Sequence, residues 1–326
     1  MDFYAWIKMP FDAYAHNRFM KKIKYDIEII SAPSILGLRP TGVEDLSSSL
    51  LKSDLAGNIR SEHPVIHVPT LNSLYSYKRD PVTNCLNTKT IKDFSLTLGN
   101  AISDTLNKNR FAFVLGGDCS ILIGAMSALK QKGNYGLIIF DAHADFYEPE
   151  KSTTGEVADM DLAIVTGRGP EILTNIYNLK PYVYDKNVIH IGQRDWEESK
   201  KYNSQDIRET AINCYSLAEI ENKGLSTVIT ELLKYITDLN VGGFWIHFDT
   251  DVLSDKINPA VDYRLPGGLL YEQVELLIKN LLMTGKMVGI SITIFNPKLD
   301  KSGTSSKNII KCLGRAFNLS TARYSL

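Results

Sequence analysis

Apolar residues in this chain come in short, nearly continuous runs. YDIEIIS (Tyr25–Ser31), FAFVL (Phe111–Leu115), GLIIF (Gly136–Phe140), VIHIG (Val188–Gly192), FWIHF (Phe244–Phe248) and VGISITIF (Val288–Phe295) are rich in β-branched and aromatic residues. Runs of this length and composition predict strands covered on both faces. Between them the apolar spacing turns helical. Helices are expected over Ile91–Asn107, Ser120–Lys130, Leu225–Leu239 and Tyr271–Met283, and Ser216 with Glu219 three residues on reads as a capping box. Strand and helix alternating in this way predicts a parallel sheet in a three-layer α/β/α arrangement. No internal repeat or linker interrupts the chain, so one domain over residues 1–326 is expected, with residues 1–24 as an N-terminal extension and the polar stretch Arg194–Glu209 as an excursion.

The ends of these strands carry the chemistry. FVLGG runs into Asp118-Cys119, LIIF into Asp141-Ala-His143-Ala-Asp145, VIHIG into Gln193-Arg194-Asp195, and FWIHF into Asp249-Thr-Asp251. In an open parallel sheet all of these share one edge, where ligands bind. Acids after strands also serve as turn formers and helix caps. That accounts for one or two of them, not for D-x-H-x-D and D-x-D on separate strands. Four carboxylates and an imidazole brought together are costly to desolvate unless something offsets them. A divalent cation does so, and this oxygen-rich set suits Mn²⁺, with Mg²⁺, Co²⁺, Fe²⁺ and Zn²⁺ as alternatives. If the chain stays extended through D-x-H-x-D, alternation points Asp141, His143 and Asp145 the same way.

Composition narrows the class. The 326 residues are 44% hydrophobic and 22% charged with a formal net charge of −1, an ordinary globular balance with no global field for nucleic acid or an acidic membrane. The small basic cluster Lys21, Lys22 and Lys24 reads as solvated surface. The four cysteines show no C-x-x-C spacing, which argues against a disulfide framework and suits a reducing compartment. Neither a signal peptide nor a spanning segment is visible. A cytoplasmic protein acting on a small molecule is expected.

FVLGGDCS, DAHAD, HFDTD and PAVDYRLPGGL together resemble the arginase/agmatinase (ureohydrolase) family, from about Ile29 to Asn296-Pro297. The resemblance implies an arginase-like fold, a centre of two Mn²⁺ ions, and hydrolysis of a guanidino or formimino compound at a non-peptide C–N bond by metal hydroxide attack. It also implies a homo-oligomer. Carried over by position, Asp141 and Asp249 bridge both ions. Asp145 and Cys119 complete the first site, and His143 and Asp251 the second. Asp145 would also handle the proton of the bridging hydroxide.

Several positions depart from the family's pattern. GGDCS replaces GGDHS, so Cys119 stands where a histidine ligand is expected, and a thiolate suits Zn²⁺ or Fe²⁺ better than Mn²⁺. The proton-transfer histidine falls on Ala158, and the acid that holds a guanidinium falls on Ile294. Ser254-Asp255 replaces a D-P, a change of turn only. In the loop region over the site, Tyr147, Glu156 and Asp159 are candidates for that proton-transfer role, and Asp161 and Arg168 are candidates to read a different substrate. His247, two residues before Asp249, shares its face of the strand and is placed to support a ligand from below. His190 reads as packed, and His16, His63 and His67 lie outside the motifs. Two further readings stand beside the binuclear hydrolase: a non-catalytic metal- or ligand-binding relative, and a single-metal amidohydrolase or deacetylase using Asp141, His143 and Asp249.

Overall fold

A computed structural model of the chain describes residues 23–319. The N-terminal extension expected over residues 1–24 lies outside them except for Ile23 and Lys24, as do His16, Lys21 and Lys22.

Eight strands form one sheet in the order β2-β1-β3-β8-β7-β4-β5-β6. They are β1 (Ile27–Ser31), β2 (Ile66–His67), β3 (Phe111–Leu115), β4 (Gly136–Phe140), β5 (Val188–Ile191), β6 (Asn213–Tyr215), β7 (Phe244–Asp249) and β8 (Met287–Thr293). Every pairing in the sheet is parallel. β3, β4 and β7 are buried along their whole length, which is why their sequences are continuously apolar rather than alternating.

The central strands feed two cores. Phe111, Phe113, Leu115, Ile138, Phe140, Ile246 and Phe248 pack on one face with the helices Leu225–Asp238, Tyr271–Met283 and Thr304–Phe317. Ala112, Val114, Leu137, Ile139 and Trp245 pack on the other with the helices Thr88–Asn107 and Ile121–Lys132. The result is the expected three-layer α/β/α fold. Ser216 opens the helix Leu217–Lys223 with the anticipated capping box.

Two strands have no counterpart in the apolar pattern. β2 and β6, two and three residues long, are the edges of the sheet and carry too few apolar positions to stand out. The helix Thr304–Phe317 is likewise absent from the expected set, although its apolar face packs on the helix Tyr271–Met283.

The strand order fixes where chemistry can collect. β3, β8, β7 and β4 are consecutive neighbours at the centre. Being parallel, all four present their carboxyl ends at one edge. Among the described residues no helix is long and apolar enough to cross a membrane.

Candidate metal centre

Each central strand delivers one part of the site. β3 runs into Gly116-Gly117-Asp118-Cys119, and the turn lies against the loop that follows β1. A Cβ on Gly117 would sit 1.8 Å from the Ser34 carbonyl oxygen, so the close approach demands glycine. Asp118 is spent on this turn: it accepts from Ser34 Oγ (2.8 Å) and from the Ser120 amide (2.9 Å). Cys119 points into the site, its thiol donating to Asp249 Oδ2 (2.8 Å) and to Thr293 Oγ1 (3.2 Å).

β4 ends at Phe140, and residues 141–145 leave the strand. Asp145 has φ +46°, so the three D-x-H-x-D side chains converge through a turn, not through the extended alternation expected from sequence. Asp141 Oδ1 accepts the His143 amide (2.7 Å), and Asp141 Oδ2 has no hydrogen-bond partner. His143 Nδ1 lies 2.9 Å from Asp251 Oδ2 and 3.7 Å from Asp141 Oδ1. β7 supplies Asp249 and Asp251, with the Asp251 amide donating to Asp249 Oδ1 (2.8 Å).

Other polar groups hold these loops in place. Asp195 accepts from the Ala144 amide (3.1 Å), Gln193 Nε2 (3.0 Å) and Ser199 Oγ (3.0 Å). The Arg194 guanidinium donates to the carbonyls of Asp251 (2.8 Å), Val252 (3.3 Å), Leu253 (3.4 Å) and Leu265 (3.4 Å). His190 is packed, as expected, and also braces the ligand loop. Its Nε2–H donates to the His143 carbonyl (2.8 Å), and burial pulls its pKa down to about 4, so it is neutral at pH 7.

The ligand-type atoms fall into three sets, each with all members within 4.8 Å of one another: Asp141, His143 and Asp251; Cys119, Asp141 and Asp249; and Cys119, Asp161 and His247. Asp145 joins none of them but lines the same cavity as Cys119, His143, Asp249 and Asp251. The electrostatics are those of an anionic site. Burial, then Asp251, pushes the Asp141 carboxyl up to about 7. Burial, then Asp141, raises Asp145 well above the carboxylate range, and burial, then Asp251, does the same to Asp249. Burial works against charge on Asp251 too, but the His143 imidazole outweighs it and holds Asp251 low. For His143, burial opposes the charge and the two aspartates override it, so its pKa is raised. Burial and Asp249 push the Cys119 thiol up. Buried carboxylates that raise one another, one with an oxygen left unpaired, are what a divalent cation would relieve. The donor set therefore fits a metal.

The wall of the cavity departs from its floor. Ala158 and Ile294 line it and pack with Leu38, Val261 and Cys119 in one apolar cluster. Ile294 holds φ +69°, a strained conformation for a β-branched residue, with its amide on the Gly117 carbonyl (2.9 Å).

Of the loop candidates, Tyr147, Glu156 and Asp159 line the cavity. Glu156 accepts from Tyr263 Oη (3.0 Å) and pairs with Arg39 (3.2 Å). Asp159 accepts from Ser152 Oγ (3.0 Å) and Thr154 Oγ1 (2.9 Å). Two candidates do not face the cavity. Arg168 is held by a two-point pair with Asp185 (2.9 and 2.7 Å) and stacks on Phe146. Asp161 is fully buried at the start of the helix Asp161–Val165 and lies near His247, not over the site. His247, expected to support a ligand carboxylate, instead faces Ser291 Oγ through Nδ1 (2.8 Å), and its Nε2 lies 3.8 Å from Asp161 Oδ2. Tyr263 and Arg264 also line the cavity. Their only sequence signal is the segment PAVDYRLPGG, which carries no fixed spacing to the other motifs.

A parallel α/β sheet that gathers carboxylates, an imidazole and a thiol at the carboxyl edge of its central strands defines a metal-binding protein of the ureohydrolase type. The sequence profile of the arginase family matches residues 51–317. Arginase of Staphylococcus aureus (strain MSSA476) is 30% identical over 307 residues, covering 89% of this chain and 96% of its own. The solved structure of arginase from Bacillus caldovelox superposes with a TM-score of 0.80 at 26% identity, over 91% of this chain and 99% of its own. Formimidoylglutamase from Bacillus subtilis shares the fold, with a TM-score of 0.68 at 20% identity over 92% of this chain and 88% of its own. The chain belongs to the arginase family of hydrolases.

Proposed function

We propose that this protein hydrolyses a non-peptide C–N bond in a guanidino or amidino group of a small molecule. The observation that carries the reading is the convergence of His143, Asp249 and Asp251 on one cavity, with the buried Asp141, whose Oδ2 is unpartnered, within 4.8 Å of each of them by its ligand-type oxygens. Asp141, His143, Asp249 and Asp251 would hold one ion, and Cys119, Asp141, Asp145 and Asp249 a second, so that Asp141 and Asp249 would serve both. When bound, divalent ions supply Lewis acidity and a water activated at neutral pH. The chain's own groups do the rest. Asp145, on the cavity wall, takes a proton at its carboxylate. Arg194 and Asp195 keep the two ligand loops in register. Tyr147, Glu156 and Asp159 orient the substrate.

The substrate differs from that of a plain arginase. Ile294 cannot pair with a guanidinium, and Ala158 cannot relay a proton, so the reactive group is less cationic or is held by Glu156 and Asp159 at the rim. Two Mn²⁺ per chain is the expected loading, with Zn²⁺, Fe²⁺ or Co²⁺ as the alternative that Cys119 favours. We read the whole chain as one arginase-like domain acting as a cytoplasmic homo-oligomer, on resemblance to the family.

The apolar cluster of Leu38, Ala158, Val261 and Ile294 favours one competing reading, a relative that binds metal without turnover. Elemental mass spectrometry before and after Mn²⁺ loading, followed by a guanidino and amidino panel scored for urea or ammonia, separates the two. About two ions with product release is expected. Metal without turnover on any member supports the non-catalytic relative, and no metal after loading overturns both.

A further inference from the structure

We propose that Cys119, Asp161 and His247 form a thiolate-bearing site for a zinc ion behind the cavity floor. The inference deepens the metal reading above, reassigning Cys119 from the second ion to this set, and rests on it.

The three side chains come from different elements: the turn after β3, the start of the helix Asp161–Val165, and β7. None is more than 1% exposed. Cys119 lines the cavity, and Asp161 and His247 lie behind it. Their ligand-type atoms all lie within 4.8 Å of one another. His247 Nε2 and Asp161 Oδ2 are 3.8 Å apart, close to the ~3.4 Å that two ligands ~2.1 Å from a tetrahedral zinc would span.

The independent observation is Asp161. Both of its carboxylate oxygens are buried and neither has a hydrogen-bond partner among the described residues. A buried carboxylate with two empty acceptors demands a cation or an uncompensated proton. His247 completes the case. Its Nδ1 faces Ser291 Oγ at 2.8 Å, and Ser291 Oγ also accepts from Trp245 Nε1 (3.0 Å). Zinc-bound histidines are oriented in this way, by a hydrogen bond at the nitrogen that does not ligate. The other nitrogen, Nε2, has only a long contact to Thr293 Oγ1 (3.4 Å) and is turned to Asp161. A thiolate, an imidazole and a carboxylate are a zinc donor set, not a manganese one.

Composition of the ligand shell tests this directly. Among the three ligand sets, only this one combines sulfur with imidazole. The full chain, stripped of metal and given one equivalent of Zn²⁺, should show a sulfur neighbour at ~2.3 Å and imidazole scattering together by X-ray absorption. One equivalent of Co²⁺, used as the optical probe, should give a thiolate charge-transfer band. Cys119→Ser should abolish the band. Asp161→Asn, which keeps size and shape, and His247→Gln should each raise the Co²⁺ dissociation constant read from it at least tenfold. If His247→Gln fails to fold, Asp161→Asn and the wild-type absorption spectrum carry the test. A band whose affinity neither substitution changes places the ion with Asp141 and Asp249, and the proposal falls while the hydrolase reading stands. Metal bound without a sulfur neighbour likewise overturns the proposal and leaves the hydrolase reading intact. Neither Zn²⁺ nor Co²⁺ bound overturns both.

Discussion

Asp141→Asn should stabilise the metal-free protein and destabilise the metal-loaded one. The carboxylate is fully buried, one oxygen accepts the His143 amide, and the other has no partner. Burial and Asp251 hold its carboxyl at about 7. Against an ordinary value near 4, that is a penalty of about 4 kcal/mol on the ionised form. The sign follows from proton linkage. Between pH 4 and 7 the folded state binds the proton and the unfolded state does not, so this group's contribution falls as pH rises through that window. Above it the penalty is complete. Asparagine keeps an acceptor for the His143 amide and removes the charge, but still buries an amide at a cost of about 1–2 kcal/mol. A net gain of about 2–3 kcal/mol is expected at pH 8 in chelator, shrinking towards pH 4. Saturating metal reverses the order. At a hundred times the dissociation constant wild type gains about 2.7 kcal/mol, and the variant should gain almost none. Urea unfolding followed by tryptophan fluorescence, in chelator and in Mn²⁺, measures both arms. A metal-free variant less stable than wild type at pH 8 would show that the His143 amide and imidazole already satisfy Asp141, leaving no unmet charge for a cation to offset.

Three other substitutions probe the surroundings. Arg194→Ala strips the carbonyls of Asp251, Leu253 and Leu265 of their donor, Val252 keeping the Leu269 amide, and should cost about 2–4 kcal/mol, with weaker metal binding because Asp251 loses its anchor; thermal unfolding and a metal titration read the two effects. Ile294→Gly gives up about 2–3 kcal/mol of burial but relieves about 1–2 kcal/mol of left-handed strain, so its net loss in a denaturant melt should stay below about 2 kcal/mol. Arg168→Ala breaks the pair with Asp185 and the stack on Phe146, away from the cavity. It should lower the melting temperature and leave metal content unchanged, and a change in bound metal would place Arg168 in the site after all.

Legibility in the sequence follows how local each signal is. β3 and β4 match the apolar runs residue for residue, because strands covered on both faces must be apolar throughout. β2 and β6 leave no such trace because edge strands of two or three residues need few apolar positions. The metal-type residues are legible because D-x-H-x-D and D-x-D follow strands that parallel packing brings to one edge. How they converge is not legible, since the left-handed turn at Asp145 is a backbone property that alternation does not encode. Asp161 shows the same limit. In sequence it sits in a polar loop after DAHAD, and only the helix it begins, packed on the second core, carries it beneath the floor and beside His247.

The acids and bases at the carboxyl edge divide into two groups that no residue type distinguishes. Asp141, Asp249 and Asp251 crowd together and raise or compensate one another's charge. Asp118 and Asp195 are held by amides and hydroxyls from their own and neighbouring loops, and the Arg194 Nη groups by four carbonyls. The second group fixes the first. Because the loops are held by groups that bind no metal, a ligand position can change without the loop collapsing, as at Cys119. Asp118, one residue earlier, keeps the turn in place whatever follows it. The centre can therefore change which ion it prefers while the fold and the remaining ligands stay where they are. In this chain the position carries the Cys119 thiol, with the His247 imidazole and the Asp161 carboxylate behind it.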